Sequence, residues 1–102
     1  MRIPLRNVPD MGLLPVKLPG GAHVVVIRRG DLVTALEDEC PHQGMPLSAG
    51  VLKPDGTLEC PFHGARFDCA TGACVRGPGE DAVATWAVAL DGADIVIGGR
   101  RP

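Results

Sequence analysis

Aromatic residues, net charge of one sign and long hydrophobic runs are all scarce in this sequence. Of its 102 residues, only Phe62, Phe67 and Trp86 are aromatic, whereas binders of single-stranded nucleic acid need several rings on which bases stack. Ten Lys and Arg against twelve Asp and Glu give a net charge of −2. Because such a balance offers no basic surface for phosphates, we expect no nucleic-acid partner.

Nothing in the sequence resembles a membrane-spanning or secretory segment. The longest aliphatic run is Val24-Val25-Val26-Ile27, far below the roughly 20 residues that cross a bilayer. Residues 1–6 carry charge without a following apolar stretch, so we expect neither a signal peptide nor a membrane anchor. The prediction is a cytoplasmic protein, in which the four cysteines are more often metal ligands or free thiols than disulfides.

Glycine and proline divide the chain into short segments. Fourteen Gly and ten Pro leave no room for long helices, and the segments between them are rich in Val, Ile and Leu. This pattern predicts an all-β protein of brief strands, and no linker divides it, so residues 1–102 form one predicted domain. The predicted strands are Leu14–Leu18, Ala22–Arg28, Leu32–Glu37, Thr57–Cys60, Ala65–Cys69, Ala84–Leu90 and Ala93–Ile97.

Two short stretches in the middle of the chain nearly repeat each other. One begins Cys40-Pro41-His42 and the other reads Cys60-Pro61-Phe62-His63, with seventeen residues between His42 and Cys60. Two Cys and two His can hold a tetrahedral zinc, or a 2Fe-2S cluster with cysteines on one iron and histidines on the other. Zinc modules usually group like ligands together, whereas here each stretch supplies one of each. The mixed arrangement favours a two-iron cluster.

The chain at this point resembles the Rieske family, whose motif C-x-H followed by C-x-x-H is matched by Cys40, His42, Cys60 and His63. The resemblance extends to residues 46–50 and 64–68, to the Thr71-Gly72 turn and to Pro78. It implies a β-sandwich or barrel-like base with a smaller cluster-binding lobe inserted, here at about residues 39–78. It also implies one Rieske-type 2Fe-2S cluster, with those four side chains as its ligands.

Several positions separate this chain from respiratory Rieske subunits. Such subunits carry a membrane anchor and an extra cysteine in each cluster loop, where Met45 and Phe62 stand here. They also carry hydroxyl side chains that donate to the cluster, where Ala65 and Phe67 stand here. The resemblance is therefore to the soluble ferredoxins of bacterial aromatic-ring oxygenase systems, and without those hydroxyls we expect a potential low in the Rieske range.

Such a ferredoxin implies a one-electron carrier and not an enzyme. Its partners would be a flavin-dependent ferredoxin reductase and a terminal oxygenase of aromatic hydrocarbon catabolism, with no membrane partner, and the carrier itself would be a monomer. Two alternatives stay open. One is the small subunit of an assimilatory nitrite reductase, although such subunits often lack the ligands. The other, from a different class, is a zinc-stabilised interaction module without redox activity.

Three other features of the sequence are candidates for a functional role. His23 is expected to be an exposed strand residue and not a ligand. Glu37-Asp38-Glu39, directly before the first ligand, either form an acidic docking face or serve as ordinary solubility charge. Cys69 and Cys74 flank the Thr71-Gly72 turn, which would set them opposite each other across a hairpin, and we expect both to be free thiols.

Two further residues are expected to have ordinary structural roles. Trp86 lies in an apolar strand and is expected to pack in the core or at its rim. Arg66 lies beside Asp68 on a predicted hairpin, where an arginine is usually a solvated charge that contributes little.

Overall fold

A computed structural model of the chain describes residues 1–41, 44–61, 64–77 and 81–101. These residues form ten strands and two short 3-10 helices, with no α-helix among them. The strands are β1 (Arg2–Pro4), β2 (Gly12–Lys17), β3 (His23–Arg29), β4 (Leu32–Glu37), β5 (Val51–Leu52), β6 (Thr57–Glu59), β7 (Arg66–Asp68), β8 (Cys74–Arg76), β9 (Thr85–Asp91) and β10 (Asp94–Arg100). The 3-10 helices are Leu5–Asn7 and Leu47–Ala49. The all-β prediction is confirmed.

The strands form two antiparallel sheets. The base sheet has six strands in the order β1-β10-β9-β4-β3-β2, and the second sheet has four in the order β5-β6-β7-β8. Strands β4 and β9 are neighbours in the base sheet, with Ala35 opposite Trp86 and Leu36 opposite Thr85. The chain therefore leaves the base sheet after β4, builds the second sheet, and returns to pair with the strand it left.

Strand β3 is buried on both faces, which explains its unbroken run of aliphatic residues. Val25 and Ile27 point into one core and Val26 into the other. The first, which we call the interface core, joins the base sheet to the second sheet and comprises Val25, Ile27, Leu36, Cys40, Leu47, Leu58, Cys60, Ala65, Phe67, Cys69 and Val83. The base core comprises Ile3, Val8, Val26, Val33, Ile95 and Ile97.

The sequence identified seven of the ten strands in the described residues and missed three. Predicted Leu32–Glu37 coincides with β4, and the other six predicted strands overlap β2, β3, β6, β7, β9 and β10 with ends displaced by at most three residues. Strands β1, β5 and β8 were not predicted. Each has only two or three residues, too few for a clear pattern of their own. Strands β6 and β7 are as short, but each falls within a longer predicted segment.

The hairpin predicted around Thr71-Gly72 exists, but its register differs from the expectation. Cys74 lies opposite Phe67, and the register shifts between Phe67 and Arg66. Cys69 lies beyond the end of β7 in the turn, so the two cysteines are not opposite each other. The displacement arises because Asp68 accepts hydrogen bonds from the backbone N–H groups of Ala70 (2.8 Å) and Thr71 (2.9 Å), which widens the turn beyond two residues.

No helix long and apolar enough to cross a membrane occurs in the described ranges.

Candidate metal centre

The two predicted cluster loops close in the same way. The backbone N–H of Cys40 donates to the carbonyl of Met45 at 2.8 Å, and that of Cys60 donates to the carbonyl of Ala65 at 2.7 Å. Each bond joins a cysteine to the residue five positions later. The motif in the sequence therefore corresponds to a repeated backbone structure, which we call the first loop (residues 40–45) and the second loop (residues 60–65).

Glycine at the fourth position after each cysteine makes this closure possible. Gly44 has φ +64° and Gly64 has φ +68°, in the left-handed region that side chains disfavour. Among the described residues, a Cβ at Gly64 would meet nothing within 4 Å, and one at Gly44 would meet the Glu39 side chain at 3.8 Å. Backbone conformation therefore favours glycine at both positions.

Both cysteine side chains are anchored in the interface core. Cys40 and Cys60 each expose 2% of their surface and lie in the same cluster of buried residues. The predicted imidazole ligands, His42 and His63, lie outside the described residues, as does Phe62. Within the described ranges no group of three or more His, Cys, Asp or Glu side chains could hold a metal ion.

The donor chemistry of this arrangement fits an iron–sulfur cluster. Thiolates are the protein ligands of such clusters, and in the Rieske type two histidines replace two of the cysteines. Two buried cysteines begin two loops of the same closure, and each loop carries one histidine in its sequence. No disulfide joins any of the four cysteines, so the thiols of Cys40 and Cys60 are not used in a covalent bridge.

The second loop is also fixed from its outer side. A Cβ added to Gly77 would lie 2.6 Å from the Cα and 2.7 Å from the Cβ of Ala65. Ala65 is 1% exposed and Phe67 is fully buried, so the two positions where respiratory relatives place hydroxyls are both tightly enclosed. The Pro78 of the family motif lies outside the described residues.

Ion pairs support the hairpin that carries the second loop, contrary to the expectation for Arg66. Its Nε lies 3.0 Å from Glu59 Oε2 and its Nη1 lies 3.6 Å from Asp55 Oδ2, while Lys53 Nζ lies 3.8 Å from Glu59 Oε1. The Arg66 side chain is only 24% exposed, so it is not a freely solvated charge. The hydrogen bond from Arg66 is the main reason that the pKa of Glu59 lies below its usual value.

The three acidic residues before Cys40 are partly structural. Glu37 Oε1 accepts a hydrogen bond from the Ala84 N–H at 3.3 Å, and Asp38 accepts two from Ser48 at 2.7 Å each. Glu39 is exposed. The two hypotheses drawn from the sequence, an acidic docking face and ordinary solubility charge, both missed this role, because it depends on contacts between residues that are far apart in the chain.

A groove of about 460 Å³ separates the first loop from the base sheet. It is lined by Ala22, His23, Glu37, Asp38, Glu39, Gly44, Pro46, Trp86 and Arg100. His23 is exposed at the start of β3, as expected. Trp86 is partly buried and packs against the base core, which confirms the expected packing role.

The remaining two cysteines differ from each other. Cys69 is fully buried in the interface core, and this burial raises the pKa of its thiol to about 11. Cys74 is partly exposed, and its Sγ lies 3.6 Å from the carbonyl oxygen of Arg76. Neither cysteine belongs to the two loops.

Comparison with known proteins identifies the class to which this fold and these loops belong. The Rieske [2Fe-2S] domain family matches residues 4–87. The chain therefore belongs to the Rieske [2Fe-2S] domain family, and one Rieske-type 2Fe-2S cluster is its cofactor.

The chain is similar to small ferredoxins along nearly their whole length. The 3-phenylpropionate/cinnamic acid dioxygenase ferredoxin subunit of Escherichia coli (strain K12) is 32% identical over 94 residues, which make up 92% of this chain and 87% of that protein. The ferredoxin of carbazole 1,9a-dioxygenase from Nocardioides aromaticivorans IC177 has a TM-score of 0.89 at 31% identity, covering 95% of this chain and 93% of that one. These similarities define an electron carrier and not an enzyme.

A third similarity is to a chain in a complex. The structure described as a complex of reduced oxygenase and oxidized ferredoxin in carbazole 1,9a-dioxygenase contains a chain with a TM-score of 0.88 at 27% identity, covering 96% of this chain and 100% of that one. Neither the nitrite reductase subunit nor the zinc module considered from the sequence is favoured by these comparisons.

Proposed function

We propose that this chain is the ferredoxin component of a ring-hydroxylating oxygenase system. In this role it accepts one electron from a flavin-dependent ferredoxin reductase and delivers it to a terminal oxygenase. The observation that carries the proposal is the nearly complete coverage of ferredoxins from two such systems, at 87% and 93% of their lengths.

The proposed ligands follow from the two loops. The thiolates of Cys40 and Cys60 hold one iron, and ring nitrogens of His42 and His63 hold the other. When bound, the cluster supplies a centre that gains and loses a single electron. The buried cysteines, the closed loops and the enclosed Ala65 support a site whose geometry is fixed before the electron arrives.

The proposal also covers the organisation and setting of the protein. We take residues 1–102 as one domain in which about 39–78 form the cluster-binding lobe, since the second sheet is built from chain inserted between β4 and β9. The protein would act as a monomer in the cytoplasm. The absence of a disulfide among the four cysteines is consistent with a reducing compartment.

The test begins with protein purified without oxygen. The expected content is two irons and two acid-labile sulfides per chain with negligible zinc, and a Cys40→Ser variant should lose both iron and sulfide. A redox titration should give a potential nearer −150 mV than +300 mV, the approximate limits of Rieske centres. Stoichiometric zinc without sulfide would overturn the proposal in favour of the interaction module.

Electron delivery is tested by rapid mixing. A reduced flavin-dependent ferredoxin reductase should bleach the visible absorbance of the cluster, and a terminal Rieske oxygenase should restore it. His42→Cys or His63→Cys should lower the potential, because a thiolate adds negative charge where the neutral imidazole stood. A loaded His42→Cys variant with the potential of the original protein would contradict the ligand assignment.

A further inference from the structure

Each predicted cluster loop is preceded by an acidic residue that holds the base of the loop. Asp38 stands two residues before Cys40, and its two carboxylate oxygens accept hydrogen bonds from the backbone N–H and the hydroxyl of Ser48, each at 2.7 Å. Glu59 stands directly before Cys60, and its carboxylate accepts a hydrogen bond from Arg66 Nε at 3.0 Å. The acid therefore binds, in both cases, a residue on the far side of the loop.

The two loops differ in what else holds them together. The second loop connects paired strands, with Glu59 opposite Arg66 and Leu58 opposite Phe67. The first loop follows β4, which ends at Glu37, and leads into the 3-10 helix Leu47–Ala49. Its two ends have no strand pairing with each other. The double hydrogen bond between Asp38 and Ser48 thus occupies the place that a strand ladder has in the second loop.

The two acids also differ in charge compensation. Glu59 lies in ion pairs with Arg66 and Lys53, so its charge is largely balanced. The donors to Asp38 are a peptide N–H and a hydroxyl, both neutral. Arg100 lines the same groove, but no ion pair joins it to Asp38 in the described part of the chain. Asp38 therefore places a carboxylate close to the first loop whose charge is not balanced by an ion pair with any described residue.

We propose that Asp38 is the positioning residue of the first cluster loop: its double hydrogen bond to Ser48 fixes the segment that presents Cys40, and its uncompensated charge disfavours reduction of the cluster. This inference rests on the proposed function. Hydrogen bonds to a carboxylate are stronger than those between neutral groups, which suits a clamp on a segment without strand pairing. A fixed negative charge opposes the addition of an electron nearby, so the same group acts on geometry and on potential.

Two substitutions separate these effects. Asp38→Asn removes the charge and keeps the clamp, since the amide oxygen still accepts a hydrogen bond from Ser48 and the Ser48 hydroxyl can accept one from the amide. Ser48→Ala removes the hydroxyl bond and keeps the charge, and Ser48→Thr restores a hydroxyl. The matched control is Asp10→Asn, because Asp10 accepts a backbone hydrogen bond from Gly30 at 2.6 Å, next to the end of β4 that lies away from Cys40.

The measurements are the redox potential and the half-life of the visible absorbance in the presence of an iron chelator, on loaded protein. Asp38→Asn should favour the reduced form by roughly tenfold, an upward shift of ~59 mV for one electron. Ser48→Ala should shorten the half-life about fivefold, the value of one hydrogen bond, and Ser48→Thr should restore it. Asp10→Asn should change neither quantity.

Three results would count against the inference. If the redox potential of Asp38→Asn equals that of Asp10→Asn, the Asp38 charge does not influence reduction of the cluster. Equal chelator half-lives for Ser48→Ala and the original protein would remove the clamp, as would a Ser48→Thr half-life as short as that of Ser48→Ala. Because the original protein is loaded with cluster in all three, these results would leave the proposed function standing, whereas an original protein without iron and sulfide would overturn both.

Discussion

The base sheet and the second sheet achieve their stability in different ways. All base strands except β1 have six or seven residues, and they bury aliphatic side chains in two cores. The second sheet has strands of two or three residues. Besides the residues that it buries in the interface core, such as Leu58 and Phe67, it depends on turns capped by Asp55 and Asp68, on ion pairs at Arg66, and on glycines at close backbone contacts.

Because of this difference, we expect the base sheet and the second sheet to respond differently to substitution. A sheet formed by burial loses stability in proportion to the apolar volume removed. A sheet of short strands that also depends on a few specific contacts fails when one of those contacts is blocked. We therefore expect substitutions in the base to act on global stability and substitutions in the second sheet to act on cluster binding.

The largest effect is expected for Gly50→Ala. A Cβ at Gly50 would collide with the carbonyl oxygen of Glu59, and the next residue, Val51, pairs with Glu59 across β5 and β6. The methyl group would push β5 from β6 and displace the strand that leads to Cys60. We expect loss of most of the iron and sulfide, with the far-ultraviolet circular dichroism of the base strands retained.

Gly20→Ala is the matched control, since a Cβ there meets nothing within 4 Å in the described part of the chain. Its iron and sulfide content should equal that of the original protein. If Gly50→Ala binds as much cluster as Gly20→Ala, the second sheet is more adaptable than its contacts indicate, and the contrast between the sheets would be lost.

Ile95→Ala tests the other side of the comparison. Ile95 is fully buried in the base core and lies opposite Leu90 in β9 and Ile3 in β1. Removing such a side chain costs about 2–5 kcal/mol of unfolding free energy. Urea unfolding followed by the fluorescence of Trp86, the single tryptophan, measures the loss. The cluster potential should stay unchanged, and a shifted potential would show that the two parts are coupled through the interface core.

The difference between the two sheets also explains which features could be predicted from the sequence. Short segments rich in Val, Ile and Leu and bounded by turn residues located the long base strands, because buried strands need apolar side chains. The repeated Cys-Pro motif located Cys40 and Cys60 as a pair. The Asp38–Ser48 and Glu59–Arg66 contacts were not predicted, since each joins residues six or more positions apart whose closeness depends on the loop between them. The prediction that Cys74 lies opposite Cys69 was wrong for a related reason, because the Asp68 side chain and not the Thr71-Gly72 dipeptide shapes that turn.

Cys69 provides the smallest and most selective test, because it lies in the interface core that joins the two sheets. Its thiol pKa is about 11 in the folded protein, against 9.0 for an unperturbed thiol, and the cause is burial. A pKa raised by folding means that the stabilisation is complete below about pH 9 and is lost as pH rises through 11. The difference of about two pKa units corresponds to roughly 3 kcal/mol of unfolding free energy.

The measurement is urea unfolding, followed by Trp86 fluorescence, at about pH 8 and about pH 11. The chain has no tyrosine, so one class of competing groups is absent from this interval. Cys69→Ala should lose roughly 2 kcal/mol less than the original protein between the two pH values, because the folded thiol is about half ionised at pH 11 and the cavity left by the substitution costs the same at both pH values. Cys74→Ala retains Cys69 and should keep the full dependence. An identical pH dependence in Cys69→Ala and Cys74→Ala would mean that the Cys69 thiol ionises as readily in the folded chain as in the unfolded one.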